Sequence, residues 1–132
     1  MNLIICLDNG GGYSFAGRRQ SSDKIQFADM LSMVGDNNLY LTEYSAKLLE
    51  NIPQNVIVSE DPINTAEEND FCFVENIDVG CPDINKLIIY RWNRAYPSDK
   101  KLPPELIYGK ELVEAFEFAG NSHERITREV YR

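Results

Sequence analysis

Three short stretches of this chain hold the residue types that do chemistry. In the first, Arg18 and Arg19 lie between Gly17 and Ser22, with Gln20 beside them. Ser22 or Asp23 opens what reads as a helix, so two guanidinium groups stand near backbone N–H groups at the positive end of a helix dipole. That combination suits a phosphate or carboxylate ligand gripped by a bidentate guanidinium. The competing reading is a loop arginine paired with one of the chain's own carboxylates, a contact of little energy when exposed. One arginine is expected to be structural and the other free, with Arg19 as the expected free one.

Asp23 is the second candidate. Sunk in an apolar cleft that raised its pKa, it could serve as a general acid or proton relay. After two serines at a helix start it is also the ordinary N-cap. Asp29, six residues on, reads as a solvated helix residue. The third stretch runs through Tyr90, Arg91, Trp92, Asn93, Arg94 and Tyr96, the densest aromatic and basic cluster in the sequence. Trp, Tyr and Arg are the types enriched in binding hot spots. Strand alternation would instead turn Tyr90 and Trp92 into core and Arg91 and Asn93 outward.

Other motifs are excluded. His123 is the only histidine, and no His-x-His or Cys-x-x-Cys spacing accompanies it, so no metal centre is expected. Ser122 beside His123 is no dyad on sequence grounds, since neighbours on a turn point apart and no Gly-x-Ser-x-Gly elbow occurs. The glycines Gly10 to Gly12 lack the Gly-x-Gly-x-x-Gly spacing of a dinucleotide turn.

The elements that must position these residues come from pattern and composition. The chain has 132 residues, 43% of them hydrophobic and 26% charged, which suits one globular domain spanning 1–132. A net charge of -8 opposes general nucleic-acid binding and contact with anionic lipid. Leu3 to Leu7 reads as a strand and not as a signal peptide, and no stretch is long enough to span a bilayer. With an odd number of cysteines, two of them (Cys6 and Cys72) in apolar runs, a reducing cytoplasm is the expected location.

Leu3 to Leu7 forms a buried strand closed by the turn Asp8 to Gly12. Phe27, Met30, Leu31 and Val34 define one face of a helix that ends near Gly35, and Asp23 with Gln26 resembles a capping box. Asn38 to Thr42 predicts a strand, Glu43 to Glu50 a helix, Asn55 to Ser59 a strand and Phe71 to Val74 another. One turn of helix fits between Glu60 and Asp70. Ile84 to Trp92 predicts a central strand, Tyr96 to Tyr108 an ordered loop, and Glu111 to Phe118 with Glu124 to Tyr131 an antiparallel hairpin. The sum is an α/β fold in three layers, with a mostly parallel central sheet and antiparallel C-terminal edge strands.

This order resembles dihydrofolate reductase over nearly the whole chain. Asp23 with Phe27 four residues later matches that family's substrate-side carboxylate and pterin-contacting aromatic. The run Lys86 to Tyr90 followed by Tyr96-Pro97-Ser98-Asp99 resembles its strand and phenylalanine-proline exit, and Phe116 to Phe118 with Asn121-Ser122-His123 its closing hairpin. The resemblance implies a reductase-like fold. It also implies a nicotinamide cofactor, but the glycine turns that admit pyrophosphate read here as Leu41-Thr42-Glu43-Tyr44 and Val74-Glu75-Asn76-Ile77. Each places a carboxylate where phosphate would lie, so no NADPH is expected. The helix after the second turn is expected to be lost, because about a dozen residues separate Phe73 from the next strand.

The leading expectation is therefore a non-catalytic reductase-like protein that binds a small anionic ligand or a partner protein through Arg18, Arg19, Gln20, Ser22, Phe27, Trp92, Arg94 and Tyr96. An enzyme acting through Asp23 on a pterin- or nucleotide-like substrate is the first alternative. An acidic inhibitor protein of a mobile element, occupying a basic groove on its target, is the second. A buried cleft at Asp23 and Phe27 would favour the enzyme, a basic notch at Arg18 and Arg19 the ligand binder, and a continuous carboxylate face the inhibitor.

Overall fold

The structure, a computed structural model, describes residues 1–77 and 83–132. Its centre is β1 (Asn2–Leu7), whose run of Leu and Ile residues is buried on both faces, as a strand inside a parallel sheet must be. Two parallel neighbours flank it, β6 (Phe71–Phe73) and β7 (Lys86–Arg91). Outside β6 lie β4 (Leu39–Leu41) and β5 (Val56–Val58), also parallel. Beyond β7 come β10 (Ile126–Tyr131) and β9 (Leu112–Phe118), which gives the order β5-β4-β6-β1-β7-β10-β9. Both pairings of β10 are antiparallel, so β10 alone runs against the rest of this sheet and β9 runs with it. The C-terminal hairpin thus forms as expected.

Alternation along β1 and β7 splits the core in two. Ile4, Ile88 and Tyr90 face Phe27, Met30 and Val34 of α1 (Lys24–Val34). Leu3, Ile5, Leu7, Leu87 and Ile89 face Tyr13, Val74 and Leu106 on the other side. Here the cover is thin: α3 (Pro62–Thr65), a 3-10 turn (Pro104–Leu106) and a small sheet in place of a long helix. That sheet, ordered β3-β2-β8, joins β2 (Gly12–Phe15), β3 (Arg18–Arg19) and β8 (Lys100–Lys101).

Several expectations need correcting. The turn at Gly10 to Gly12, the loop at Arg18 to Gln20 and the loop from Tyr96 to Tyr108 all contribute to the small sheet, whose strands are too short and polar to show a period of two. The helix expected over Glu43 to Glu50 is only α2 (Glu43–Ala46), continued as turns by Leu48 N–H to Ser45 O at 3.1 Å and Leu49 N–H to Ala46 O at 3.0 Å. Asp29 is no solvated residue: it accepts from the Tyr90 hydroxyl at 2.6 Å and from Arg128 at 2.7 and 2.8 Å. The expected loss of a helix after Phe73 concerns a segment whose residues 78–82 lie outside the described residues.

Candidate functional site

Asp23, not Ser22, caps α1. Its Oδ1 accepts from the N–H groups of Ile25 at 2.9 Å and Gln26 at 3.2 Å, two of the donors that every helix leaves unpaired at its start. Gln26 Nε2 is buried and has no partner among the described residues. The turn after β9 supplies the rest of the shell. Asn121 N–H reaches the two carboxylate oxygens at 3.0 and 2.9 Å, Ser122 N–H reaches Oδ2 at 2.8 Å, and His123 Nδ1 lies 3.0 Å from Oδ2. Gly120 permits this wrapping: a Cβ there would stand 2.7 Å from Asp23 Oδ2 and 2.8 Å from the His123 carbonyl oxygen.

The Asp23 and His123 side chains are 0% and 1% exposed. Burial alone would raise the Asp23 pKa, but the donors from Asn121, His123, Ser122 and Gln26 outweigh it and hold the carboxyl well below its ordinary value. A general acid needs the opposite shift. An ionised Asp23 fixes the proton on His123 Nδ1 and leaves Nε2 as an acceptor. Two hydroxyls face that atom, Tyr96 at 2.8 Å and Ser21 at 3.2 Å. Trp92 stacks on the imidazole with centroids 4.4 Å apart and planes 14° from parallel.

Arg19 and Arg18 exchange the roles expected of them. Arg19 Nε donates to Glu75 Oε2 at 2.8 Å, Nη2 donates to the Tyr44 carbonyl at 3.0 Å, and the guanidinium lies 3.9 Å from the Tyr44 ring centroid. It is the structural arginine. Glu75 is largely buried, and desolvation raises its pKa further than Arg19 and Ser45 lower it. Among the described residues no hydrogen bond, ion pair or ring contact engages the Arg18 side chain. The reason lies in β-strand geometry: successive side chains point to opposite faces, so only one of two adjacent arginines in β3 can reach back to the sheet. Nor does the start of α1 offer free N–H groups to an anion, since Asp23 occupies them.

Arg18 opens onto a cleft of about 360 Å³. Thr42 and Tyr44 after β4, Glu60 and Asp61 after β5, Glu75 after β6, Arg18 and Arg19 of β3 and Lys100 of β8 line it. It therefore lies beyond the carboxyl ends of three parallel strands, where open α/β sheets hold their ligands. Arg18, Gln20, Tyr96 and Pro97 also border a shallower groove of about 430 Å³ that includes Phe15 and Ala16.

The expected site residues divide accordingly. Arg19, Gln20, Ser22, Phe27 and Trp92 converge, with Ser21, Gln26, Cys6 and Phe73, around an internal space of only about 20 Å³. That is room for one water. Gln20 Nε2 donates to Asp8 Oδ2 at 2.7 Å, while its Oε1 is buried without a partner. Arg94 stays outside, reaching the Tyr96 hydroxyl only at 3.5 Å. Arg91 pairs with Glu129 at 2.8 Å on the sheet, so the aromatic and basic stretch divides between core and surface as strand alternation implies. Sequence reasoning missed Ser21, Glu75 as the partner of Arg19, and the link from His123 to Asp23. No signal within the sequence joins residues 100 positions apart.

Burial pushes the Cys72 thiol up to about 12 and the Cys6 thiol well above its ordinary value, so both are inert packing groups. Among the described residues no cluster of three or more His, Cys, Asp or Glu side chains is placed to hold a metal, and no helix is long and apolar enough to cross a membrane. No protein-family model matches the chain, and no curated protein matches its sequence.

Proposed function

We propose that this chain is a dihydrofolate reductase-like binding protein without dinucleotide chemistry, which takes a small anionic ligand in the cleft at Arg18. One observation carries the reading: a guanidinium without a partner faces a cleft of about 360 Å³ at the carboxyl ends of parallel strands. The reductase resemblance is supported by the order of elements, with the helix opening at Asp23, the central strand β7 and the closing hairpin each where the resemblance puts them. Glu75 supports the loss of the cofactor. It stands where a glycine would let pyrophosphate approach, and its carboxylate already takes Arg19 as its counter-ion.

The chemistry of the lining selects the ligand. Arg18 calls for a phosphate or carboxylate, while Glu60 and Asp61 in the same lining repel a second anion and accept from hydroxyl or amino groups. A ligand with one anionic group and several hydroxyls fits both. Calorimetric titration with inorganic phosphate and with sugar and nucleoside monophosphates is the direct test. A charge-assisted contact is worth about 1.5–3 kcal/mol, so Arg18→Ala should weaken binding at least about tenfold. NADPH should show no saturable binding below about millimolar concentration, roughly the affinity left when the Glu75 carboxylate stands in place of the glycine that would admit its pyrophosphate. Micromolar NADPH binding, or an affinity for every monophosphate that ignores Arg18, overturns the proposal.

A further inference from the structure

We propose that Ser21 is a nucleophile activated by His123 and Asp23, so that the chain carries a site for acyl transfer from small carboxylic esters. Such a site is recognised by geometry and roles and not by sequence order. Asp23 Oδ2 accepts from His123 Nδ1 at 3.0 Å, and His123 Nε2 faces the Ser21 hydroxyl at 3.2 Å. Both separations lie within reach of a nucleophile, its base and the group that orients the base. The carboxylate is completely buried and its other lone pairs are filled by backbone N–H groups, so it is fixed as the orienting anion. Trp92 clamps the imidazole plane and offers its π face to the cation that forms when the ring takes a proton.

A third component lies beside Ser21. Gln26 is 1% exposed, its Nε2 has no partner, and it lines the same space of about 20 Å³ as Ser21. An unpartnered buried donor is costly and calls for an occupant. A space for one oxygen, lined by that donor and by the nucleophile, is what a developing oxyanion requires. Gln20, next to Ser21 in the chain, and Tyr96, whose hydroxyl stands at His123 Nε2, both line the open groove in which the acyl chain would lie.

The step balances without a further reagent. Ser21 passes its proton to His123 Nε2 as Oγ bonds to the carbonyl carbon, and the carbonyl π pair moves onto oxygen. Return of that pair breaks the bond to the leaving alkoxide, which takes the proton from His123 and departs as an alcohol. Water then repeats the sequence on the acyl-Ser21 ester, releasing the acid and restoring Ser21. At rest Tyr96 contends for the same lone pair, since its hydroxyl stands 2.8 Å from Nε2.

A fluorophosphonate probe on the purified protein tests this, read by intact mass and by peptide mapping. One adduct on Ser21 is expected, with none in Ser21→Ala. Tyr96→Phe should label several-fold faster, because it leaves Nε2 to Ser21 alone; a purely structural network would not respond in that direction. Hydrolysis of p-nitrophenyl acetate should follow the same order. A folded wild type and a folded Tyr96→Phe that both stay unlabelled overturn the proposal, as does an adduct that persists in Ser21→Ala. The readouts are distinct, covalent labelling at Ser21 for this inference and phosphate titration for the anion site, so the two stand or fall separately.

Discussion

The knot around Asp23 and the cleft around Arg18 are built from neighbouring residues and handle charge in opposite ways. In the knot a carboxylate receives four backbone N–H groups and a histidine, and almost no free volume remains. In the cleft Glu75 is incompletely compensated by Arg19, and the adjacent Arg18 has no partner among the described residues. A fastener needs every lone pair matched, because an unmatched buried polar group subtracts from stability. A binding site needs the reverse, a charge held in place and left for the ligand. Local sequence can build both within six residues because one arginine and one aspartate are tied by distant partners.

The largest test of that difference is Asp23→Ala. It strips the cap from α1 and leaves the donors of Asn121, Ser122 and His123 facing nothing. Breaking a buried charge network of this kind costs about 3–5 kcal/mol, and urea unfolding should show it together with detachment of the C-terminal hairpin. A loss of less than about 1 kcal/mol, the worth of an ordinary cap, would mean that the knot adds nothing to the helix start.

Within the cleft, the two arginines separate by stability. Arg19→Ala leaves the Glu75 carboxylate buried without its cation and should cost about 1–3 kcal/mol. Arg18→Ala should change unfolding by no more than about 0.5 kcal/mol, as an exposed substitution does. Equal losses would show that Arg18 also supports the fold.

Acid distinguishes the two carboxylates by sign. Asp23 has a folded pKa below its unfolded one, so its contribution is complete above the ordinary carboxylate value and disappears as pH falls through the folded value. Glu75 has a folded pKa above its unfolded one, so its penalty is fully present at neutral pH and is relieved as pH falls through the folded value toward the ordinary 4.5. Urea midpoints should therefore fall less steeply below about pH 4 in Asp23→Asn than in the wild type. Glu75→Gln should lose the relief that the wild type gains on the way down to about pH 4.5. The Asp23 difference is the larger of the two, since more donors act on that carboxylate.

Long apolar runs and cap chemistry made much of the fold legible: β1, α1 with its aspartate cap, β7 and the final hairpin all lie where periodicity places them. The small sheet was hidden, because pairs such as Arg18–Arg19 and Lys100–Lys101 show no hydrophobic alternation and gain their pairing only from a neighbour far along the chain. At the site, the residue types were legible and their partners were not. Arg19 turns inward because Glu75 waits 56 positions away, and His123 matters because Asp23 lies 100 positions before it. Such links are set by strand order, which single-residue chemistry does not encode.

The smallest effect concerns how Arg18 reaches its cleft. Phe15 pairs with Arg18 across a two-residue turn in which Ala16 has φ 52° and Gly17 φ 75°, the positive pair that a tight hairpin demands. Gly17 adopts this freely, whereas an L-residue in that region carries about 1–2 kcal/mol of strain. The Ala16 N–H donates to Asp99 Oδ2 at 3.0 Å, a contact independent of its side chain. Ala16→Gly should therefore relieve the strain while adding about 0.5–1 kcal/mol of unfolded-chain entropy, for a net gain of about 0.5 kcal/mol. Because the backbone path is unchanged, phosphate affinity should not move. Ala16→Val gives the contrast, since a β-branched side chain tolerates positive φ worst. It should destabilise the hairpin and weaken phosphate binding together, as Arg18 leaves the cleft, and titration of both variants reads the outcome. An unaltered affinity in a destabilised Ala16→Val would show that the hairpin does not set the position of Arg18.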